Sequence, residues 1–304
     1  MAKHRSQTWF IFILTPILCM GSVQHATSQG KYREEVWKKK FTIVQEECRL
    51  YLEDPAGVLQ IWGEDRSDVA LEVQKLSDKG NPERITVSIE NKMEETKIKI
   101  EMPGADRPVI QDMPYLANVR MHVPKNCELQ VRSKVFVLEV NQLKGHLLLN
   151  GINGNVTVNQ VHGKVQIHIK NGQVTLQNVV GQTTIENVGG DIKVFNLNGC
   201  SHITSINGNI WIDFKDFPSK CRMQTQTING NIEISLPVKG VHLDLKTILG
   251  LIRIAIDVRV IRQVKGWEKR LIANAGKMPF SSRIVARTMN GNITIYPRAN
   301  QHQP

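Results

Sequence analysis

Two ionisable side chains in the middle of the chain, His168 and Glu186, are eighteen residues apart, and His202 follows sixteen residues later. A histidine beside a carboxylate can transfer protons, but sugar-cleaving enzymes need a second carboxylate or a cationic partner as well. If the chain returns to the same place every eighteen residues, His168 lies beside Glu186, and His202 lies diagonal to them. Because no second carboxylate accompanies the pair, the sequence favours an ordinary polar surface here over a catalytic centre.

A second candidate group combines aromatic and charged side chains at the same interval. Lys193 and Trp211 are eighteen residues apart, and so are Phe195 and Asp213. An exposed aromatic ring beside a cation and an acid can stack on a sugar ring and hydrogen-bond to its hydroxyls, or anchor a protein partner. These four residues are therefore a predicted binding patch. The alternative is that the insertion at residues 214–222 folds over the patch and makes it core.

A basic insertion near the end of the chain carries five cations among apolar residues. Residues 259–270 read RVIRQVKGWEKR, with Val260, Ile261, Val264 and Trp267 at helical spacing. The segment is therefore amphipathic, and its cations are predicted to contact an anionic surface such as a membrane. The alternative is a helix or hairpin that packs across the end of the fold. The five cations are Arg259, Arg262, Lys265, Lys269 and Arg270.

The sequence predicts no metal site, no cofactor and no catalytic residues. Nonapeptide β-rolls that bind calcium use a regular acidic residue, whereas the position after the repeat glycine is a carboxylate in one unit of eight, Asp191. The cysteines lack the C-x-x-C spacing typical of zinc sites. No G-x-S-x-G, H-E-x-x-H or P-loop motif occurs. We therefore expect a non-enzymatic protein.

A nine-residue repeat must position all of these groups. Four residues after each of eight evenly spaced glycines stands an aliphatic residue, and six of eight positions are aliphatic both two and seven residues after the glycine. Alternation at the second and fourth positions places both side chains on one face of a β-strand. Asn-Gly pairs before several strands favour tight turns. The glycines are Gly145, Gly154, Gly163, Gly172, Gly181, Gly190, Gly199 and Gly208.

A single repeat cannot fold by itself. Burying three aliphatic side chains contributes about 5–9 kcal/mol, whereas ordering nine backbone residues costs about 9–18 kcal/mol. Stacked units share hydrogen bonds and a continuous apolar interior. The sequence therefore predicts an all-β solenoid, resembling a β-roll, in which two units form a flattened coil of about 18 residues. Longer strands before the repeat predict an antiparallel β section that caps the first coil.

The predicted organisation has five parts. The N-terminus indicates a signal peptide, because basic residues are followed by an apolar run from Trp9 to Val23 and then by small residues. The alternatives are an uncleaved anchor, for which the run is short, and a lipoprotein signal ending at Cys19. The parts are the signal peptide at residues 1–28, a flexible N-terminus at 29–40, the β cap at 41–135, the β-solenoid at 136–297 and a tail at 298–304.

Export and charge restrict the expected partners. The formal net charge is +11, and loss of Lys3 and Arg5 with the signal peptide would leave +9. Export argues against nucleic acid and favours anionic envelope polymers or lipid head groups, with a mixed solvated surface as the alternative. An oxidising compartment allows the four remaining cysteines to pair in three ways, of which Cys200–Cys221 is favoured because it closes a short insertion.

The sequence also resembles a bacterial family. The phrase N-G-N-[IV] recurs in strand context at Asn153, Asn207, Asn229 and Asn290, and VRMHVP at residues 119–124 precedes the repeats. Over about residues 45–297 the chain is similar in these features to bacterial β-strand-repeat proteins grouped as proposed adhesins, a family defined by a domain of unknown function. The resemblance implies an exported envelope or surface protein, and it brings no catalytic residues.

The expected function is therefore an exported, non-enzymatic β-solenoid protein of the periplasm, cell envelope or cell surface that acts as an adhesin or scaffold. The expected partners are a glycan, an anionic envelope polymer or a surface protein. Nucleic acid is not expected, nor is a transmembrane helix once the signal is removed. The alternative is a carbohydrate-active β-helix enzyme, either a polysaccharide lyase or a hydrolase.

Overall fold

From Gly163 onward each of the regular repeat units forms one short strand, whereas the first two units share β8. β-Branched side chains together with frequent glycine turns favour this arrangement. The computed structural model describes residues 33–43, 47–78, 80–92, 94–103, 114–216, 218–237 and 240–298. The predicted signal peptide lies outside these residues. A 3₁₀ turn spans Pro82–Arg84. The strands are β1 (Arg33–Thr42), β2 (Arg49–Glu64), β3 (Asp68–Ser77), β4 (Thr86–Asn91), β5 (Thr96–Glu101), β6 (Tyr115–Pro124), β7 (Glu128–Asn141), β8 (Leu147–Asn159), β9 (Val165–Asn171), β10 (Val174–Gln177), β11 (Thr183–Gly189), β12 (Ile192–Asn198), β13 (Ser201–Asn207), β14 (Ile210–Asp216), β15 (Arg222–Gln226), β16 (Ile232–Leu236), β17 (Val241–Thr247), β18 (Ile252–Ile254), β19 (Val258–Val264), β20 (Lys269–Ala275), β21 (Ser282–Thr288) and β22 (Ile293–Pro297).

Parallel pairing between strands repeats every eighteen residues. Thr183 is opposite Val165 on one side and Ser201 on the other. In the other sheet, β10 pairs in parallel with both β8 and β12 at the same interval. The predicted solenoid with an eighteen-residue coil is therefore confirmed.

Each coil contributes one strand to each of two faces. The first face consists, in order, of β10, β12, β14, β16, β22 and β18. The second face consists of β9, β11, β13, β15, β21, β17, β20 and β19. Strands β7 and β8 are long enough to belong to both faces. A residue that points away from the core on either face is exposed to partners.

Aliphatic columns fill the interior between the two faces. The fourth residue after each of the eight repeat glycines is buried, as predicted, which excludes water from the core of each coil. The seventh position differs from the prediction, because the two ends of a coil are not equivalent. Val161, Val179 and Leu197 are fully buried there, whereas Ile152, Val188 and Ile206 are exposed.

Glycines form aligned columns at the turns, as the repeat predicts. A Cβ on Gly172, whose φ is +138°, would lie 1.8 Å from the carbonyl oxygen of Gly154 in the preceding coil. Gly190 and Gly208 continue the same column, and each leaves equally little room. The backbones of successive coils therefore approach so closely at this corner that a side chain does not fit.

Asparagine side chains connect the same corner from coil to coil. The first asparagine of the phrase forms a side-chain ladder, in which Asn171 donates to Asn153 at 3.0 Å and Asn229 donates to Asn207 at 2.7 Å. The second asparagine accepts a hydrogen bond from the backbone of the next coil, as Asn209 does from the N–H of Asn231 at 2.9 Å. These bonds explain why N-G-N recurs at this corner.

The N-terminal section is mixed rather than antiparallel, which corrects the prediction for residues 41–135. Strand β2 pairs in parallel with β5, β6 and β7, so the coil stack already begins at β2. Among the described residues of this section, antiparallel pairing is confined to β1–β3, β3–β6 and β4–β5. The absence of a nine-residue repeat hid this first coil, because β2 crosses from one face to the other as one continuous strand.

The predicted flexible segment at residues 29–40 is also corrected over its described part. Residues 33–42 form β1, which pairs with β3 along its whole length. Its charges are matched across the pair, since Lys38 lies 2.8 Å from Glu72 and Lys40 lies 2.9 Å from Asp68. Charged side chains on an edge strand also discourage pairing with other chains.

Two disulfides cross the described part of the chain. Cys200 is joined to Cys221, which is the pairing that the sequence favours, and Cys48 is joined to Cys127. Among the described residues, no helix combines the length and hydropathy that crossing a bilayer requires.

Candidate binding surfaces

Three aromatic side chains from β12, β14 and β22 lie together on the first face. The ring centroids of Phe195 and Trp211 are 4.4 Å apart, with an interplanar angle of 51°. The indole Nε1 of Trp211 donates a hydrogen bond to the hydroxyl of Tyr296. All three side chains are half-buried. We call Phe195, Trp211 and Tyr296 the aromatic patch.

Opposite charges lie on the two sides of Trp211. The strand register places Lys193 of β12 and Glu233 of β16 directly opposite Trp211. Lys193 is exposed and has no ion-pair partner within the described part of the chain. A sugar ring stacked on the indole would therefore meet a hydrogen-bond donor on one side and an acceptor on the other.

Asp213 is engaged inside the protein rather than open to a ligand. One carboxylate oxygen accepts a hydrogen bond from Ser235 Oγ at 2.8 Å. The other accepts from the backbone N–H of Asn196 at 3.3 Å and lies 3.3 Å from a guanidinium nitrogen of Arg298. Asp213 therefore holds three neighbouring strands in register beneath the aromatic patch.

The Tyr296 hydroxyl remains protonated at neutral pH. Burial raises the pKa of Tyr296 above its ordinary value, and the hydrogen bond from Trp211 opposes that rise. The negative charges of Glu233 and Asp213 raise the pKa further. The patch therefore presents a neutral phenol that both accepts from the indole and has a proton to donate.

Tyr296, Glu233 and Arg298 were not found from the sequence because the eighteen-residue interval breaks after β14. Ile210 is opposite Ile232, which is 22 residues later, and Ile232 is opposite Ile293. The N-G-N phrase is the signal that was available, since it occurs three residues before Ile232 and again before Ile293. Aligning the strands on that phrase would have placed these residues beside Trp211.

Two described residues of the insertion at residues 214–222, Phe214 and Pro218, are held by the core and by the second face. Phe214 is buried in the core, and Pro218 accepts a hydrogen bond from Ser282 at 2.8 Å. Ser282 begins β21, which belongs to the second face. Phe217 lies outside the described residues.

The structure brings His168 and Glu186 together, as the eighteen-residue coil predicts. Nδ1 of His168 is 3.1 Å from a carboxylate oxygen of Glu186, and both line a shallow groove of about 440 Å³ on the second face. His202 is opposite Thr184, two residues before Glu186 on β11, and is therefore diagonal to the pair. Within the described residues, no group of three or more His, Cys, Asp or Glu side chains could hold a metal ion.

The basic insertion forms a β-hairpin, which was one form of the alternative, and the amphipathic helix that its spacing suggested is wrong. Strand β19 pairs antiparallel with β20, with a bulge between Val260 and Arg262. Apolar residues alternate every two positions along a strand, and the bulge adds one residue to this alternation. The resulting spacing of apolar residues is similar to that of a helix. The result is an exposed edge strand, in which every residue after Val258 is exposed.

The five predicted cations do not form one cluster. Arg259 and Arg262 lie on β19 and Lys265 lies in the hairpin turn, and all three are exposed. Arg270 forms a two-pronged ion pair with Asp244, both at 3.0 Å. Lys269 is opposite Thr247, on the other side of the sheet from Arg270.

Asp244 is the most buried carboxylate at this end of the fold, with 3% of its side chain exposed. Burial raises its pKa, but hydrogen bonds and charge from Arg270 and Arg283 outweigh burial, so the pKa lies below the ordinary value. Arg283 approaches the second oxygen at 2.6 Å. The carboxylate thereby ties together β17, β20 and β21.

Comparison with known proteins finds similar solved structures and one family model that matches the repeat region. Solved structures similar to the chain include a proposed adhesin from Bacteroides fragilis (10% identity, TM-score 0.46, covering 86% of this chain and 97% of that chain). Another is a proposed cell adhesion protein from Clostridium sporogenes (13% identity, TM-score 0.32, covering 88% of this chain and 100% of that chain). A third is a proposed lipid-binding protein from Parabacteroides distasonis (12% identity, TM-score 0.33, covering 88% of this chain and 98% of that chain). All three TM-scores lie below 0.5, so the fold assignment depends on the strand pairing of the chain itself. No relative is found among curated proteins.

The family model matches fewer residues than the resemblance inferred from the sequence, which covers about residues 45–297, but both point to the same family. It begins in β7 and extends beyond β19, so it covers the coils that carry Lys193, Phe195 and Trp211. Tyr296 and the cap strands lie outside it. Residues 129–266 match the model of Toastrack DUF4097, a family of unknown function.

Proposed function

We propose that the chain is a non-enzymatic binding protein of the cell envelope or cell surface, and that its aromatic patch holds a neutral glycan. The observation that carries the proposal is the contact between the tilted rings of Phe195 and Trp211, with Tyr296 hydrogen-bonded to the indole. Aromatic side chains offer an apolar ring face together with a polar edge, which matches the two sides of a sugar ring.

The backbone beneath the patch supports binding because it is already ordered. The three aromatic residues stand on strands that belong to one hydrogen-bonded stack, and Asp213 links that stack to Asn196 and Arg298. A site on rigid strands loses little conformational entropy when a ligand binds. The patch is therefore suited to retention of a ligand.

Location in the envelope or at the surface is part of the same proposal. Two disulfides favour an oxidising compartment. The N-terminal sequence pattern of a signal peptide supports export, although it lies outside the described residues. The enzyme alternative has one supporting pair, His168 and Glu186, and lacks the second carboxylate that sugar cleavage requires.

The proposal is tested by retention of the full mature chain on insoluble chitin and cellulose. We expect Trp211→Ala to weaken retention on the bound glycan about thirtyfold or more, as loss of a central aromatic anchor does elsewhere. Trp267→Ala is the matched control, because Trp267 is 77% exposed and lies in the β19–β20 turn. This control should retain wild-type binding.

Two results would contradict the proposal. The first is equal retention of wild type and Trp211→Ala when urea unfolding shows that both are folded. The second is no retention of the wild type on either glycan. Release of new reducing ends from the glycan by wild-type protein, lost in His168→Ala, would favour the enzyme alternative instead.

A further inference from the structure

Seven permanently charged cations point outward from five neighbouring strands of the second face. The outward positions alternate with buried ones, such as Met223, Ile284 and Leu243 on successive strands. The strand register aligns the outward residues across the face. We call these cations the basic face: Arg222 on β15, Arg283 and Arg287 on β21, Lys246 on β17, Arg270 on β20, and Arg259 and Arg262 on β19.

Six of the seven cations of the basic face form two rows that run across the strands, and Arg262 lies between the rows, opposite Ile272. In the first row, Arg222 is opposite Arg283 on β21, and Arg259 lies on the same line at the outer edge. In the second row, Arg287, Lys246 and Arg270 are opposite one another. Neighbouring strands lie about 4.8 Å apart, so cations in adjacent strands are spaced by about that distance.

Few carboxylates balance these cations. Asp244 engages Arg270 and Arg283, and Glu268 lies 2.8 Å from Lys246. The other four guanidinium groups are exposed and have no ion-pair partner within the described part of the chain. They belong to Arg222, Arg259, Arg262 and Arg287.

The N-terminal strands are different, because their cations are matched by acids. Lys38, Lys40 and Lys97 each lie within 3.2 Å of a carboxylate on a neighbouring strand. Several N-terminal cations are thus matched, whereas the basic face collects four guanidinium groups, unpaired among the described residues, on one side of one sheet. A surface with one sign of charge attracts ligands of the opposite sign.

The chemistry of the basic face favours a linear anionic polymer. Six of its seven cations are arginine, whose planar guanidinium can bind a carboxylate, sulfate or phosphate through two parallel hydrogen bonds. Rows of such groups across a sheet match a chain with regularly repeated charges. Each exposed pair is weak by itself, so useful affinity requires several contacts at once.

The outward side chains between the rows argue against a bilayer or a nucleic acid. Peripheral membrane surfaces insert a broad apolar face between their cations. At the centre of the basic face Val285 is buried and Ile272 half-buried, and the exposed apolar residues of its strands, Val260, Ile261 and Val264, are confined to the edge strand β19. Single-stranded nucleic acids stack on aromatic residues, and β15, β21, β17, β20 and β19 contain none. We propose that the basic face binds an acidic polysaccharide, at a site separate from the aromatic patch.

The test measures binding of the full mature chain to dextran sulfate and polygalacturonate, with uncharged dextran as the control polymer. We expect binding to at least one charged polymer, no binding to dextran, and weaker binding as salt screens the exposed charges. Arg222→Gln/Arg287→Gln removes one cation from each row and should weaken binding about tenfold.

Matched controls separate this site from general charge and from the aromatic patch. Arg132→Gln/Arg253→Gln removes the same charge from exposed strand positions outside the basic face, and its affinity should stay within about twofold of wild type. Trp211→Ala should keep its affinity for the charged polymer, so the two proposals can fail separately.

Three outcomes would overturn the inference. The first is an equal loss of affinity in Arg222→Gln/Arg287→Gln and Arg132→Gln/Arg253→Gln, which would show that binding depends only on the net charge of the protein. The second is tighter binding to vesicles of anionic phospholipid, or to duplex DNA, than to either charged polysaccharide at the same salt concentration. The third is no measurable binding of wild type to either charged polymer at low salt.

Discussion

Gly172 shows how strongly one position can be fixed by the coil stack. Its neighbours along the axis, Gly154 and Gly190, face the same corner, and a Cβ there would overlap a carbonyl oxygen. The sequence predicted this column, because a glycine at every ninth position has no other simple explanation. It did not predict that every second corner would leave the seventh residue of a unit exposed.

Replacing Gly172 by alanine should therefore destabilise the fold. The φ of +138° and the contact of 1.8 Å with Gly154 O both oppose a side chain, and we expect a loss of about 1–3 kcal/mol in the free energy of unfolding. Urea unfolding measures this loss. Gly266→Ala is the control, because the nearest atom to a Cβ there is 3.9 Å away. Equal stability of the two variants would contradict the inference that the glycine column leaves no room for a side chain.

The candidate site could be predicted only in part at the level of residues. Lys193 and Trp211 were found because the eighteen-residue interval holds between them, and Phe195 was found because it keeps that interval to Gln177 on β10, although its register with β14 shifts. Tyr296 was missed because 61 residues separate Ile232 from its partner Ile293. Asp213 was found, but no sequence pattern shows that Ser235, Asn196 and Arg298 occupy its oxygens.

Strands β19 and β20 show an element for which the sequence left a helix and a hairpin open, and the structure has the hairpin. The bulge after Val260 moves the next apolar residues out of strand alternation and makes the segment look helical. The segment forms strands because β20 pairs with β17, a strand that lies outside residues 259–270. Tertiary pairing thus overrode a local pattern, as it did for β1, whose charges match those of β3.

Asp244, which ties β17 to β20 and β21, should make this part of the fold sensitive to acid. Its pKa is lowered in the folded state, so the carboxylate stabilises the fold at neutral pH. This contribution is lost as the pH falls below about 4 and through the lowered folded-state pKa. Asp244→Asn should cost about 3 kcal/mol at neutral pH.

The pH dependence of that cost distinguishes the ion pair from a packing effect. The difference in unfolding free energy between wild type and Asp244→Asn should shrink on acidification from pH 7 to pH 3. Asp257→Asn, a change at an exposed residue between β18 and β19, should show little difference at either pH. A cost for Asp244→Asn that is constant over this range would contradict the assigned role.

At the scale of the whole described chain, one stack of coils carries two different surfaces. The aromatic patch lies on the first face and the basic face on the second, and the same core of Leu, Ile and Val supports both. The sequence predicted the stack, its coil length and the aliphatic interior. It could not predict the basic face, because Arg222, Lys246 and Arg283 come together only through pairing across the insertions.

The two disulfides should stabilise the stack in proportion to the loops that they close. Cys48–Cys127 spans 79 residues and Cys200–Cys221 spans 21. Loop-closure entropy predicts losses of about 4.5 and about 3 kcal/mol when each pair is replaced by alanine. Urea unfolding of the two double variants checks the order, and a larger loss for the shorter loop would contradict this account.

The asparagine corners have a consequence for the chemical ageing of the protein. An Asn-Gly pair deamidates when the glycine nitrogen attacks the asparagine side chain and closes a succinimide ring. Here the nitrogens of Gly172, Gly208 and Gly230 each donate a hydrogen bond to the next coil, at 2.8, 2.9 and 3.0 Å. We expect the folded chain at alkaline pH to keep these asparagines, and the same chain in urea to gain the mass of deamidation. Equal rates by mass spectrometry would show that the folded corner gives no protection.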